Sequence, residues 1–517
     1  GVWDDQPYII DNPYIRAIDL DFFQWVFANP YYGNWHPLTT IVNAIEYQFF
    51  GLEPFGYHLV NNILHSIDTF LVFLLSYRLI NFGIEKGKGA LTGAFLSALL
   101  FGLHPLHVES AAWVSETKDL LCAFFYISAV LAYLKYRTQK AGAFYFVTII
   151  LFILALLSKP MAVSLPLALL ILDYYPVGRL NLKSFIEKIP LFALSAISSV
   201  LTIWAQGRGE AIVALERHSL TERVLTAVSG YVFYIYKLAL PVGLSPFYPL
   251  SNQFNPVFIA SFAIFLAITI SSIAALKRAK IFFAVWLFFV ITLIPVIGIV
   301  QVGGQAAADR YMYIPSLAPF VLIGAAAGYA FEAWDKKRTA LLSIAALAIL
   351  SILSYLTVTQ ASFWKDPVTL WSRAIEVYSK RVPIAYYHRG IAYRESGRYG
   401  EAATDFSQVI DVLPRMHEAY YNRALANQGL GKYEEVVEDL TAALELNPGN
   451  TDAYNNRGIA YFKLGAYQEA IEDFKTAVEI DPQYSTAYQN LGLVYSKIGN
   501  TGEGAYYFNK AKELGNR

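Results

Sequence analysis

Cysteine is nearly absent from this sequence. Cys122 is the only one and lies in an apolar run, so an internal disulfide, a cysteine-based metal site and a cysteine catalytic pair are all excluded. Charge is scarce as well: charged residues make up 15% of the 517 positions, while 56% are hydrophobic and 16% aromatic, against about a quarter charged in ordinary soluble domains. A bilayer is the solvent that suits such a composition. Neither sign of charge dominates, because Lys plus Arg and Asp plus Glu number 40 each. Without a basic excess there is nothing to neutralise a run of phosphates, which excludes nucleic acid as an expected partner. The opening stretch, GVWDDQPYIIDNPYIRAIDLDFF, is polar and acidic and has none of the features of a signal peptide. The expectation is that a helix or leader precedes Gly1.

What the sequence has in quantity is long apolar runs. About ten or eleven reach the roughly 20 residues that a bilayer needs, beginning near Tyr57, Leu91, Asp119, Gly142, Met161, Pro190, Val224, Val257, Ile281, Met312 and Thr339. Short basic loops separate them: Arg78, Lys86 and Lys88; Lys135, Arg137 and Lys140; Arg179, Lys183 and Lys188; Lys277, Arg278 and Lys280; Lys336, Lys337 and Arg338. The positive-inside bias puts these in the cytoplasm. Residues 1–56, the HPLHVESAAWVSETKD stretch from His104, the SKP around Lys159, residues 207–220 and GGQAAADRYMYIP from Gly303 then share the outer side, as do the residues after Phe363. Parity fails once, between the basic loops at 179–188 and 277–280. Either Pro190–Gln206 or Val224–Leu244 is expected to be interfacial or re-entrant, and the helix breakers of LPVGLSPFYPL favour the second.

From Pro383 the composition turns soluble and a 34-residue period sets in: Pro414, Pro448, Pro482; Gly397, Gly431, Gly465, Gly499; Gly390, Ala424, Gly458, Gly492; Phe406, Leu440, Phe474, Phe508. This is the tetratricopeptide pattern of paired helices. The expected fold is all-α: a polytopic membrane bundle over 1–363, a linker over 364–382, and an α-solenoid of about four repeats over 383–517.

The outer loops hold the candidate chemistry. Asp4 and Asp5 are adjacent carboxylates, where mutual repulsion and partial desolvation tune one as a base; the alternative is an acidic helix end facing water. Asn61, His65 and Asp68 share a helix face, as a polar tie between helices or as a ligand site. His104 and His107, with Glu109, are the only hint of metal ligands, and the HEXXH spacing is missing. Lys118, Lys159 and Arg310 stand at outer helix ends, where positive-inside bias disfavours cations; they suit a lipid phosphate or pyrophosphate, or else snorkel to headgroups. Asp309 stands next to Arg310 as its possible pair.

The segments GVWDDQPYIIDNP, NWHPLTTIVNAIEYQFFGLEPFGYHLVNNILHS, FGLHPLHVESAAWVSETKDLLC, LSKPMAVSLPLALLILDYYP and AADRYMYIPS resemble the membrane half of the transmembrane and tetratricopeptide-repeat O-mannosyltransferases and their bacterial relatives. With the repeats, the resemblance covers nearly the whole chain. It implies a GT-C glycosyltransferase that takes a polyprenyl-phosphate or dolichyl-phosphate sugar. Asp4 and Asp5 match the acidic motif of the first outer loop, one of them as general base. His36 stands where eukaryotic members commonly carry arginine, which implies a phosphate-binding role, and Lys118, Lys159 and Arg310 match polar positions near the donor site. His65, His104, His107, Glu109 and Asp309 support them. The short repeat array implies a bacterial member, in the inner membrane with site and repeats in the periplasm; a eukaryotic member would face the ER lumen. Lys and Arg can neutralise a leaving phosphate, so no obligatory cofactor is expected, a divalent cation being the alternative. The expected partners are the lipid-linked donor, membrane lipids and a protein or peptide acceptor held by the repeats. The competing readings are an oligosaccharyl or O-antigen-type ligase using a diphosphate-linked glycan, and a non-catalytic repeat scaffold. A transporter is disfavoured, because the membrane half shows no internal duplication.

Overall fold

The computed structural model describes residues 4–83, 88–208, 220–250, 256–299, 304–378 and 382–515. Trp3, Lys86, Gly303, Arg381 and positions 209–219 of the outer loop at 207–220 lie outside the described residues. The chain forms two compact units, Gly1–Asp366 and Pro367–Arg517.

The described residues of the first unit are mainly helical: α1 Leu20–Ala28, α2 Pro37–Phe50, α3 Pro54–Gly83, α4 Lys88–Gly102, α5 Val108–Ala112, α6 Thr117–Gln139, α7 Gly142–Ser158, α8 Leu165–Tyr174, α9 Leu182–Ile186, α10 Ile189–Arg208, α11 Leu220–Ala239, α12 Pro256–Ala274, α13 Lys280–Leu293, α14 Leu317–Ala333 and α15 Lys336–Ser362. The strands among the described residues are two short ones, β1 Tyr248–Pro249 and β2 Gln305–Ala307, paired antiparallel. Each expected apolar run is a helix, but fewer reach spanning length than the runs suggest. Among the described residues five are long and apolar enough to cross a bilayer: Pro54–Phe82, Val114–Gln139, Leu182–Arg208, Pro256–Lys277 and Lys336–Ser362. A sixth span arises if Lys88–Gly102 and Pro105–Ala112, bent by 52°, count together. The helices at 142–158, 160–174, 280–293 and 317–333 are shorter, and at 1.5 Å per residue none of them reaches the ~30 Å of a hydrocarbon core upright. The Val224–Leu244 run falls on α11 and the non-helical segment after it; α11 carries Glu222, Arg223 and Lys237 and is not among the five.

Lipid contact follows from what the bundle leaves uncovered. Only 6% of the apolar window of α15 is buried, and Leu341, Ile344, Leu347, Ile352 and Val358 are all exposed; in water such a surface would aggregate. Between helices the contact is made by small residues. Gly89 and Gly93 of α4 face Gly324 and Gly328 of α14 so closely that a Cβ at Gly93, Gly324 or Gly328 would overlap the facing backbone carbonyl. This is two small-xxx-small motifs packed on each other, which lets backbones meet where no hydrophobic force separates protein from lipid.

The second unit opens with α16, Pro367–Tyr378, in the stretch expected to be a linker. Trp371 of α16 stacks on His388 with centroids 4.8 Å apart, and Ser372 accepts from Arg389 at 3.1 Å, so α16 closes the start of the solenoid. Four helix pairs follow: α17 Pro383–Glu395 with α18 Tyr399–Val412, α19 His417–Gly429 with α20 Tyr433–Leu446, α21 Thr451–Leu464 with α22 Tyr467–Ile480, and α23 Ser485–Lys497 with α24 Thr501–Gly515. Small residues sit under aromatic ones: a Cβ on Gly458 would lie 2.7 Å from the Phe474 ring. An ion pair repeats with the period, Arg389–Asp405 at 2.7 Å, Arg423–Asp439 at 2.6 Å and Arg457–Asp473 at 2.8 Å. The last repeat replaces it with Leu491 and Tyr507, in keeping with the atypical terminal units of solenoids.

Candidate functional site

Short turns rather than long helices build the site, and proline lies at or next to the start of three of them. Pro7 lies in one π-helical turn at Gln6–Ile10, while Pro105 and Pro160 begin the 3₁₀ turns Pro105–His107 and Pro160–Ser164. Two more 3₁₀ turns, Val114–Glu116 and Asp309–Met312, complete the set. α6 starts at this site with Thr117 and ends about 35 Å away with the basic residues Arg137 and Lys140. The polar loops and the basic loops are therefore at opposite ends of this helix.

Asp5 and Asp4 have different surroundings. Asp5 is buried, and its Oδ1 accepts from the Ser115 amide at 3.0 Å and the Ser115 hydroxyl at 2.6 Å, pinning the first loop to the 114–116 turn. Asp4 is left beside Lys118, Glu116 and Arg310. Burial pushes its carboxyl above the ordinary carboxylate value; Lys118 and Arg310 pull it down, while Glu116 and Asp5 add to the rise.

The three expected cations converge on Glu116, whose side chain is 1% exposed. Its Oε1 meets Lys118 Nζ at 3.1 Å and Arg310 Nε at 3.3 Å, and its Oε2 meets Lys159 Nζ at 3.3 Å. Lys159 also pairs with Asp119 at 2.5 Å. Arg310 pairs with Glu109 through Nη1 and donates its backbone N–H to Glu109 at 3.0 Å, with its guanidinium 5.3 Å from the Trp113 ring. Lys118 pairs with a single carboxylate and rests 5.8 Å from the Tyr8 ring. Three cations pair with the three carboxylates of Glu109, Glu116 and Asp119, with Asp4 beside them, and such a network is held by mutual pairing because any member left alone would be a buried charge.

The remaining expected residues divide. His36, at the start of α2, sits near Lys118 and Lys159; burial first and then these cations drop its pKa to about 3. It is a neutral hydrogen-bonding group at neutral pH, not the cation expected for phosphate. Asp309 does not pair with Arg310: it accepts from the Tyr248 hydroxyl at 2.5 Å. His65 and His107 have both ring nitrogens engaged, His65 with Tyr313 and Gly102 at 2.7 and 3.1 Å and His107 with Phe101 and Ser316 at 2.7 and 3.0 Å. His104 likewise meets the carbonyl of Leu238 and accepts from the Leu106 amide. The three histidines are ties within a buried aromatic cluster around Phe101, Tyr313 and Phe320. Asp68, accepting from Tyr313 at 3.0 Å, and Asn61, bonded to Thr117 and Trp113, belong to the same set of ties. Among the described residues, no group of three or more His, Cys, Asp or Glu is placed to hold a metal ion.

Sequence reasoning missed Glu116, although a Glu, a Lys and an Asp within one turn at the head of an apolar helix are a signal. It also missed Glu46 of α2, which is 3% exposed with both carboxylate oxygens unpartnered, so that burial lifts its pKa to about 8. The folded state holds this proton up to about pH 8, whereas the unfolded chain releases it near 4.5, so stability declines as pH rises between the two. Glu46→Gln should therefore stabilise by roughly 2–3 kcal/mol at pH 7 and by little at pH 5. Thermal unfolding in detergent at pH 5 and pH 8 checks this; an equal gain at both would mean the carboxyl is ionised throughout.

Comparison with known proteins bears on both units. Tetratricopeptide-repeat models match residues 387–435, 429–465, 451–484 and 485–514. Over 440 residues, 80% of this chain, the sequence is 24% identical to Protein O-mannosyl-transferase F38B6.6 of Caenorhabditis elegans, covering 60% of that protein. Two further relatives are also named protein O-mannosyl-transferases. Protein O-mannosyl-transferase Tmtc1 of Drosophila melanogaster is 31% identical over 35% of this chain and 21% of its own length. Protein O-mannosyl-transferase TMTC4 of Homo sapiens is 30% identical over 36% of this chain and 28% of its own length. The chain thus spans less than two thirds of each of these relatives. Among solved structures, a crystal structure of MamA aligns with a TM-score of 0.28 and 26% identity, over 29% of this chain and 86% of that one.

Proposed function

We propose that the chain is a membrane glycosyltransferase that moves a sugar from a polyprenyl-phosphate donor to a serine or threonine hydroxyl of a protein, at the outer or periplasmic end of the bundle. The observation that supports it is the convergence of Lys118, Lys159 and Arg310, from three separate turns, beside Asp4. Asp4 takes the proton of the acceptor hydroxyl, whose oxygen bonds to C1 of the sugar as the bond from C1 to the phosphate oxygen breaks. The lipid phosphate leaves with the electron pair, and Lys118 and Arg310 stabilise its charge in place of water. Lys118, with one carboxylate partner, has the most hydrogen-bonding capacity to offer; Lys159, held by two, positions Glu116 and Asp119. His36, a neutral imidazole, adds nothing to the grip on the phosphate. No step in this scheme calls for a metal. The repeats recruit the acceptor, and a covalent tether raises its local concentration toward the millimolar range, so weak peptide contacts suffice.

The test is transfer by the purified full chain from a short-chain polyprenyl-phosphate mannose to serine- and threonine-containing protein acceptors, read by mass spectrometry of the product. A hexose added to the acceptor is the expected result. Use of a diphosphate-linked glycan in its place would make the protein a ligase, and no transfer from either donor would leave it a scaffold.

A further inference from the structure

Against Lys118 a small polar pocket of about 30 Å³ opens between the first loop and α2. Its walls include Tyr8, Tyr31, Asn34, His36, Asn43 and Lys118. The groups that line it are hydrogen-bonding in kind but only partly engaged. Asn43 is 6% exposed, and its side-chain oxygen is buried with no hydrogen-bond partner. Tyr8 accepts from Asn34 at 2.5 Å, which fixes both side chains at the rim. Tyr8 and Tyr31 stand edge to face with centroids 6.1 Å apart, giving the pocket an aromatic wall.

A buried acceptor without a partner is costly in a finished core, and it makes sense where a ligand supplies the missing donor. The space admits on the order of two water-sized groups, which is too little for a hexose ring and enough for two of its hydroxyls. Tyrosine faces suit the C–H face of a sugar, whereas amide and imidazole groups suit its hydroxyls. We infer that this pocket seats two hydroxyls of the donor sugar, with Asn43 accepting from one and His36 bonding the other, and that it sets which sugar is used. The inference rests on the proposed transferase reading: with the donor phosphate on Lys118, the sugar attached to it reaches the pocket that Lys118 itself lines. Neutral His36 fits this role, because a cation there would draw the phosphate instead.

The experiment separates sugar from phosphate. Binding of two lipids to the purified full chain is measured, polyprenyl-phosphate mannose and sugar-free polyprenyl phosphate of the same length. Asn43→Ala and His36→Ala should each weaken the mannose-bearing lipid by about tenfold, the loss expected for one hydrogen bond to a buried group, and leave the sugar-free lipid unchanged. Retained binding of the sugar-free lipid also shows that the variants are folded. Equal loss for both lipids in both variants, or no loss for either, overturns the inference while leaving the transferase reading in place. Failure of the unmodified chain to bind either lipid would instead overturn that reading, and this inference with it.

Discussion

Asp4→Asn should lower sugar transfer by about 10²- to 10⁴-fold, the usual cost of losing a positioned base, while donor binding persists. The two adjacent carboxylates read alike in sequence, but Asp5 is occupied by two hydrogen bonds from Ser115 and Asp4 faces the cations. Asn at position 4 keeps the size and removes only the basicity. Asn at position 5 keeps one acceptor oxygen for Ser115, so Asp5→Asn should have the milder effect and act on donor affinity as well as rate. The pH profile adds an independent reading. A base works deprotonated, so the rate climbs as pH rises through its pKa, and burial holds that of Asp4 above the ordinary 3.8. The acid limb should accordingly lie above that of a free carboxylate and disappear in Asp4→Asn. Wild-type rates in Asp4→Asn would exclude it as the base and turn attention to Asp5.

How much of this was legible beforehand depends on the range of the signal. The repeats were, because a 34-residue period fixes each helix pair locally: Gly458 lies under Phe474 since both are set by the same unit. The helix positions in the bundle were legible too, but their lengths were not. Helix α7 stops at Ser158, just before Pro160, and α13 stops at Leu293, just before Pro295. Helix α16 was read as linker because it belongs to no full repeat, although Trp371 and Ser372 give it the contacts of one.

The site shows the same division. Lys118, Lys159 and Arg310 stood out as cations on the disfavoured side, a one-dimensional rule that needs no contacts. That they share Glu116 is a fact about three turns separated by 43 and 151 residues or more in sequence, and no spacing announces it. The histidines misled for the converse reason. An imidazole in an outer loop resembles a ligand until both nitrogens are seen to be held by Tyr313, Ser316 and backbone carbonyls. The glycine motifs at 89–93 and 324–328 were present in the sequence, but that they face one another is a matter of tertiary packing.

Arg310→Ala should be the most damaging single change among the cations, for two reasons that different measurements separate. In the proposed reaction its guanidinium stabilises the departing phosphate, and a charged hydrogen bond of that kind is worth roughly 1.5–3 kcal/mol, or about 10- to 150-fold in kcat/KM. Apart from any ligand, Arg310 is the ion-pair partner of Glu109 and one of three cations on Glu116, both 2% exposed or less in their side chains. Removing it strands the buried carboxylate of Glu109, which typically destabilises by about 3–5 kcal/mol and should lower the unfolding temperature in detergent. Arg310→Lys distinguishes the two effects. A lysine keeps the charge near Glu116 and should recover most of the stability, but it lacks the planar fork that serves Glu109 and Glu116 together and still offers N–H groups to a phosphate. The rate in Arg310→Lys should therefore stay depressed after the unfolding temperature has returned toward that of the native protein. If rate and stability recovered in parallel, Arg310 would be a structural strut for the 309–312 turn, and the grip on the donor phosphate would pass to Lys118 alone.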